Sequence, residues 1–348
     1  MQAKVIDENL RVVTRINRPG IRFYDPDFAP FSIHGVYRNG DRYYRLPRER
    51  AERISPAILE MCGYTAGGRI RFKTNSPYVG IRTQLAEVYC VPFMTFIASH
   101  GFDVYADGEY IGALPPPLEL EGEAYESVLT LGDRRMREIT IDMPLYTNVS
   151  YVHIGLDETS DIEPASPYRD IKPIVYYGSS ITHGCSASRP GTTYEAIISR
   201  ALNVDYVNLG FGGSAKAEEE MARYVSELDT SLFVYDYDHN APTSRYLAKT
   251  HERMFLIFRE RHPDTPVLMI SRPQTKYTPD RDPRYEIIRE TVSKAIARGD
   301  RNVYLIDGRE LLMPVGTDAT IDGTHPTDHG FRLMADKIGD VIGKILKI

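Results

Sequence analysis

Five short apolar runs in the second half of the chain, each followed by a helical segment, constrain the fold most. They are IVYYG (174–178), DYVNLG (205–210), SLFVYDYD (231–238), PVLMISRP (266–273) and NVYLIDG (302–308). Between and after them lie TYEAIISRAL, AKAEEEMARYVSEL, SRYLAKTHERMFLIFRER, RYEIIRETVSKAIARG and GFRLMADKIGDVIGKIL, all amphipathic. A strand that is apolar throughout has no solvent face and must be covered on both sides. A helix between successive strands makes those strands parallel and supplies the cover. The expectation for residues 166–348 is an α/β fold, with helices on both faces of a parallel sheet. Ligands in such sheets sit at the carboxyl ends of the strands. The residues just after each strand are therefore where chemistry is to be sought.

The first half follows a different pattern. RIRFKTNSPYVGIRTQL (69–85) alternates apolar and polar residues on both sides of an Asn-Ser-Pro turn. FDVYADGEYIGAL (102–114) reads as a hairpin closed at Asp107-Gly108, a strong two-residue turn signal. REITIDM and SYVHIGLDE add two alternating strands, PPPLELEG a surface loop, and RERAERISPAILEMCG the one helix of this half. Short alternating strands with frequent turns predict an antiparallel β-sandwich, jelly-roll-like, over residues 1–165. The polar, proline-rich stretch DETSDIEPASPYRDIKP reads as the linker between the two domains.

With 348 residues, 42% hydrophobic and 26% charged, the chain can bury a sizeable core. Its net charge of −6 and the absence of any long basic tract argue against nucleic acid as a partner. No apolar run approaches the ~18 residues of a membrane span. The beginning, MQAKVIDENLRVV, has no apolar leader segment. The three cysteines (Cys62, Cys90 and Cys185) cannot all pair and none lies in a CxxC, which favours free thiols in a reducing compartment. A cytoplasmic location is the expectation. The sequence leaves a homo-oligomer open.

Four strand-end features carry the functional reading. The first run breaks off in Gly178-Ser179-Ser180, where a serine could either cap a helix or act as a nucleophile. The second ends in NLGFGGS, whose glycines can point backbone N–H groups at an anion. The third ends in DYDHNAPT, with Asn240 in an irregular stretch that could equally be an Asx turn. Near the C-terminus, DGTHPTDHG holds Asp322 and His325 three residues apart, close enough for the carboxylate to reach the near ring nitrogen. Together they supply a nucleophile, a base, an orienter and oxyanion donors, the inventory of acyl transfer.

GSSIT, NLGFGGS, Asn240 and DGTHP, in this order, resemble the four blocks of the SGNH (GDSL-type) hydrolases. The resemblance covers roughly residues 170–348 and implies a flavodoxin-like α/β/α sandwich that hydrolyses esters without a metal or other cofactor. It implies Ser180 as nucleophile, His325 as base and Asp322 as its orienter. It also implies an oxyanion hole of the Ser180 and Gly213 backbone N–H groups and the Asn240 amide. Two positions depart from the family: Ser179 replaces the usual aspartate, and Asn240 sits in DHNAP and not in Gly-x-Asn-Asp. GFDVYADG is similar to the Gly-x-Asp-Leu-Tyr motif of the sandwich domain that precedes some SGNH hydrolases, with valine for leucine. This resemblance implies an accessory sandwich, as in two-domain carbohydrate esterases, and a glycan or small acylated metabolite as substrate. Ser179 and Arg189 are candidates for substrate contact; Arg189 could meet an anionic group or simply pair on the surface.

Rival chemistries are weaker. His183, His325, His329, Asp322 and Asp328 could in principle ligate a metal, but a proline and no helical pattern separate the two histidines at 325 and 329. Cys185 lies five residues beyond the proposed strand-end turn at Ser180 and suits a packed thiol. The expected function is a serine esterase acting on short-chain, chiefly acetyl, esters of a carbohydrate or small metabolite. The alternatives are an acyltransferase using the same acyl-enzyme and, less favoured, a non-catalytic glycan-binding protein.

Overall fold

The computed structural model describes residues 16–88, 91–117, 120, 122–276 and 283–348. Cys90, MQAKVIDENLRVV with its expected lack of a leader, and part of the PPPLELEG loop lie outside them. The chain folds into two compact units. One holds residues up to 45, 63–168 and 188–191; the other holds 46–62, 169–187 and 192–348. The helical stretch RERAERISPAILEMCG thus belongs mainly to the second unit. It is two helices, α1 (Arg48–Ile54) and α2 (Pro56–Met61). Ser55 separates them: its hydroxyl caps the Ile58 N–H, and Pro56 cannot continue the helix before it.

The first unit is antiparallel β. Its strands are β1 (Ile21–Tyr24), β2 (Ser32–His34), β3 (Tyr37–Asn39), β4 (Arg42–Tyr44), β5 (Arg69–Thr74), β6 (Tyr78–Leu85), β7 (Phe102–Ala106), β8 (Glu109–Leu114), β9 (Ala124–Thr130), β10 (Arg137–Asp142), β11 (Val149–Asp157) and β12 (Ile162–Glu163), with a short helix α3 (Phe96–His100). One sheet has the order β1-β11-β6-β9, the other β12-β5-β10-β7-β8 with β2 paired to β5; β3 and β4 form a separate hairpin. Alternation decides which side chains face inward. Ile70 and Phe72, Val104, Ile139 and Ile141 of one sheet meet Val79, Ile81, Val152 and Ile154 of the other in a single buried core. The β7–β8 hairpin turns at Asp107-Gly108, both with positive φ, the requirement of a type I′ turn.

The second unit is a five-stranded parallel sheet with helices. Its strands are β13 (Ile174–Gly178), β14 (Tyr206–Gly210), β15 (Leu232–Asp236), β16 (Val267–Ile270) and β17 (Val303–Ile306). The helices are α4 (Ser180–His183), α5 (Tyr194–Leu202), α6 (Glu219–Glu227), α7 (Ser244–Arg261), α8 (Arg284–Ala297), α9 (Arg309–Leu312) and α10 (Asp328–Leu346). The order β14-β13-β15-β16-β17 corresponds to 2-1-3-4-5, the flavodoxin-like arrangement. Helix α5 packs on α10, and α6, α7 and α8 pack in series. All residues of β13 and β15 are buried, which is why their sequences carry no polar alternation. The sheet grows outward from β13 first to β14 and then, in the opposite sense, to β15, so the loops after these strands lie at the switch point where doubly wound sheets bind ligands. No helix among the described residues is long and apolar enough to cross a membrane.

Candidate active site

All the residues of this site lie in the second unit. Strand β13 ends at Gly178, and the two serines that follow have separate roles. Ser179 is the N-cap of α4: its hydroxyl accepts the Ile181 N–H at 3.2 Å, and the residue is buried. Ser180 begins the helix, with its Oγ 2.8 Å from His325 Nε2. His325 Nδ1 lies 2.7 Å from Asp322 Oδ2. The other oxygen, Oδ1, accepts the backbone N–H groups of Thr324 (2.9 Å) and His325 (2.8 Å). The carboxylate therefore shapes its own loop and fixes the imidazole at the same time. Burial raises the Asp322 carboxyl, but the hydrogen bonds from His325 and Thr324 outweigh it and leave the group below the usual aspartate range. An ionised carboxylate only accepts, so Nδ1 carries the proton and Nε2 is free to take one from Ser180.

The backbone N–H groups of Ser180 and Gly213 have no hydrogen-bond partner among the described residues. Gly213 is exposed, with φ +69° and open space where a Cβ would stand; the requirement for glycine is conformational and not steric. Asn240 follows a single 3-10 turn after β15 and donates one amide hydrogen to the Phe211 carbonyl at 3.0 Å. The second amide hydrogen remains for a ligand. Two further residues brace this region. His183 Nδ1 accepts the Gly212 N–H at 3.4 Å, and the Asn208 amide donates to the Thr182 carbonyl at 2.5 Å. His183 is buried beneath the glycine loop. Asp328 accepts the Thr192 hydroxyl at 2.8 Å, and His329 is exposed. Among the described residues, no three His, Cys, Asp or Glu side chains gather as a metal-binding group.

Because negative charge appears on the substrate carbonyl only during attack, a donor aimed at it acts on kcat more than on binding. Asn240→Ala is expected to lower kcat about 100-fold with KM little changed. Measuring kcat and Tm on the same sample separates this from a loop-bracing role through Phe211, which would cost Tm and leave kcat per folded molecule near wild type.

Arg189 belongs to the first unit, in the segment 188–191. Its guanidinium donates to Asp103 Oδ2 (2.9 Å) and the Tyr105 hydroxyl (2.7 Å) and lies 3.6 Å over the Tyr110 ring. The same Asp103 oxygen accepts the Gly191 N–H at 2.9 Å. The aspartate of GFDVY thus anchors residues 189–191. Burial, with nearby Asp142, pushes the Asp103 carboxyl up to about 6, and Arg189 works against that rise. A raised folded-state value means stability falls as pH climbs from the unfolded pKa (near 4) through 6; Arg189 limits the fall. Arg189→Ala is therefore expected to lower Tm more at pH 8 than at pH 5. A loss of Tm independent of pH would contradict this role.

Residues 171–343 match the family model of the GDSL-like lipase/acylhydrolase family. Residues 21–162 match the model described as the N-terminus of Esterase_SGNH_hydro-type proteins, GxDLY. Among solved structures, a protein from Bacteroides ovatus described as a GDSL-like lipase is similar at 29% identity, with a TM-score of 0.82 over 94% of this chain and 98% of that one. A salicylyl-acyltransferase from a tetracycline biosynthetic pathway shares the fold at 21% identity, TM-score 0.78, over 94% and 98%. A family two carbohydrate esterase from Clostridium thermocellum, solved with cellohexaose, shares it at 14% identity, TM-score 0.62, over 91% and 99%. The comparison with curated proteins finds no match.

Proposed function

Because the chain belongs to the GDSL-like lipase/acylhydrolase family of ester hydrolases, we propose that it cleaves short-chain, chiefly acetyl, esters of a carbohydrate or small metabolite through an acyl-enzyme on Ser180. The observation that carries this reading is the continuous hydrogen-bond chain from Ser180 Oγ through His325 to Asp322. Ser180 Oγ attacks the ester carbonyl carbon as its proton passes to His325 Nε2. Charge on the carbonyl oxygen is met by the Ser180 and Gly213 N–H groups and the Asn240 amide. The intermediate collapses, the ester C–O bond breaks, and the leaving alkoxide takes the proton from His325. Water then attacks the acyl-enzyme and gives a proton to His325; the bond between the acyl carbon and Ser180 Oγ breaks, Oγ takes that proton back, and the acid leaves.

The short acyl chain is supported by the lack of any long apolar lid segment in the sequence. The glycan or metabolite alcohol is supported by the shared fold of the carbohydrate esterase. Transfer to an alcohol other than water uses the same intermediate, and the shared fold of the salicylyl-acyltransferase makes transfer the second reading. A panel of p-nitrophenyl esters of rising chain length and of acetylated sugars, with and without added alcohols, tests both. The expected result is a preference for acetyl and free acid as the main product. Ester products exceeding free acid at modest alcohol concentration favour transfer, and a preference for long chains contradicts the substrate reading.

A further inference from the structure

Asp236, the last residue of β15, is buried and takes no direct part in the proposed reaction. The register of the sheet sets it directly beside Gly178, the residue that precedes the two serines. Its Oδ1 accepts the Thr182 hydroxyl at 2.6 Å, and the nearby backbone N–H of Ser179 favours the ionised carboxyl. The Tyr194 hydroxyl stands 3.5 Å from its other oxygen and 3.4 Å from Thr182 Oγ1. A Cβ on Gly178 would fall on the Asp236 carboxyl and the Thr182 hydroxyl, so glycine is required there for the carboxyl to approach.

We propose that Asp236 is a positioning residue for Ser180: its buried carboxyl, set beside Gly178 on one side of the serine, ties down Thr182 on the other, and so holds Oγ within reach of His325. This inference rests on the reading of Ser180 as the nucleophile. Asn208 grips the same turn from β14, through the Thr182 carbonyl, so the four-residue helix α4 is held from both neighbouring strands. The hold matters because α4 is too short to be rigid by itself. Burial raises the Asp236 carboxyl to about 7, Asp238 adds to that rise, and the Thr182, Ser179 and Tyr194 donors oppose it. The Thr182 hydroxyl donates to Oδ1, so what the turn takes from this place is an acceptor oxygen.

The test compares wild type, Asp236→Ala, Asp236→Asn and Thr182→Val. Each is measured for kcat and KM on p-nitrophenyl acetate, for the rate of labelling of Ser180 by a fluorophosphonate, and for Tm. Loss of the anchor misplaces the nucleophile, and a displacement of about 1 Å costs on the order of 100-fold. Asp236→Ala is expected to show that loss in kcat and in labelling rate, with KM nearly unchanged. Asp236→Asn keeps an oxygen facing Thr182 and is expected to recover most of the rate. Thr182→Val removes one hydrogen bond and is expected to cost roughly fivefold. The proposal is overturned if Asp236→Ala lowers Tm while kcat and labelling per folded molecule stay at wild type. It is equally overturned if Asp236→Asn is as damaging as the alanine variant. Should the alanine variant not fold, Thr182→Val with wild-type kcat and labelling rate overturns it. A wild-type enzyme labelled elsewhere than Ser180 would sink the underlying nucleophile reading instead, which keeps the two failures distinct.

Discussion

Replacing Ser180 by alanine is expected to abolish ester hydrolysis while leaving the fold intact. The loss should be on the order of 10⁶-fold in kcat, about 8 kcal/mol of transition-state stabilisation, as when a serine-hydrolase nucleophile is removed. The fold should survive because Ser180 Oγ contacts the part-buried His325 and not the core. Helix α4 is capped by Ser179, through Ile181, and held by Asp236 and Asn208. The control is Ser179→Ala. It removes a cap and is expected to cost about 1 kcal/mol of stability, with substantial activity retained. An inactive Ser179→Ala beside an active Ser180→Ala would reverse the assignment.

His325→Ala is expected to be nearly as damaging as Ser180→Ala, because the two act as one unit and their losses do not add in the double variant. Asp322→Asn is expected to cost less than either, on the order of 10⁴-fold, and its cause can be traced in the loop. Oδ1 of Asp322 already accepts the Thr324 and His325 N–H groups. An asparagine keeping its oxygen on those donors turns its NH2 toward His325 Nδ1. The imidazole must then carry its proton on Nε2, where it cannot accept one from Ser180. Steady-state kinetics on p-nitrophenyl acetate reads all three. His329→Ala, which alters an exposed side chain, should be near wild type; a lethal His329 change beside a mild His325 change would contradict the site.

How much of this was legible in the sequence depended on how local each feature is. The five parallel strands stood out because β13 and β15 are buried end to end and carry no polar alternation. The Asp322–His325 pair stood out because its partners are three residues apart. Strands β1 and β9 carry no legible pattern: IRFY is short, and AYESVLT is buried only over its first three residues. The stretch 48–63 has the pattern of one helix, and its split at Ser55-Pro56 follows from the cap and the proline within it. Its membership of the second unit depends on contacts far along the chain, such as Arg50 with Glu220, which no local pattern shows. Arg189 is the same case: its partners Asp103 and Tyr105 lie more than eighty residues earlier. Asp236 was invisible for another reason. An aspartate at a strand end reads as a turn residue, and only the register with Gly178 gives it a place beside the serine turn.

A rapid-quench experiment on the covalent intermediate addresses the esterase reading most directly. Wild-type protein is mixed with p-nitrophenyl acetate, quenched in acid during the burst, and examined by intact and peptide mass spectrometry. The expected result is one acetyl group per molecule, located on Ser180, absent from Ser180→Ala and lost on waiting as water completes the cycle. An acetyl group found instead on Ser179, Cys185 or a lysine, or full turnover by Ser180→Ala, would contradict it.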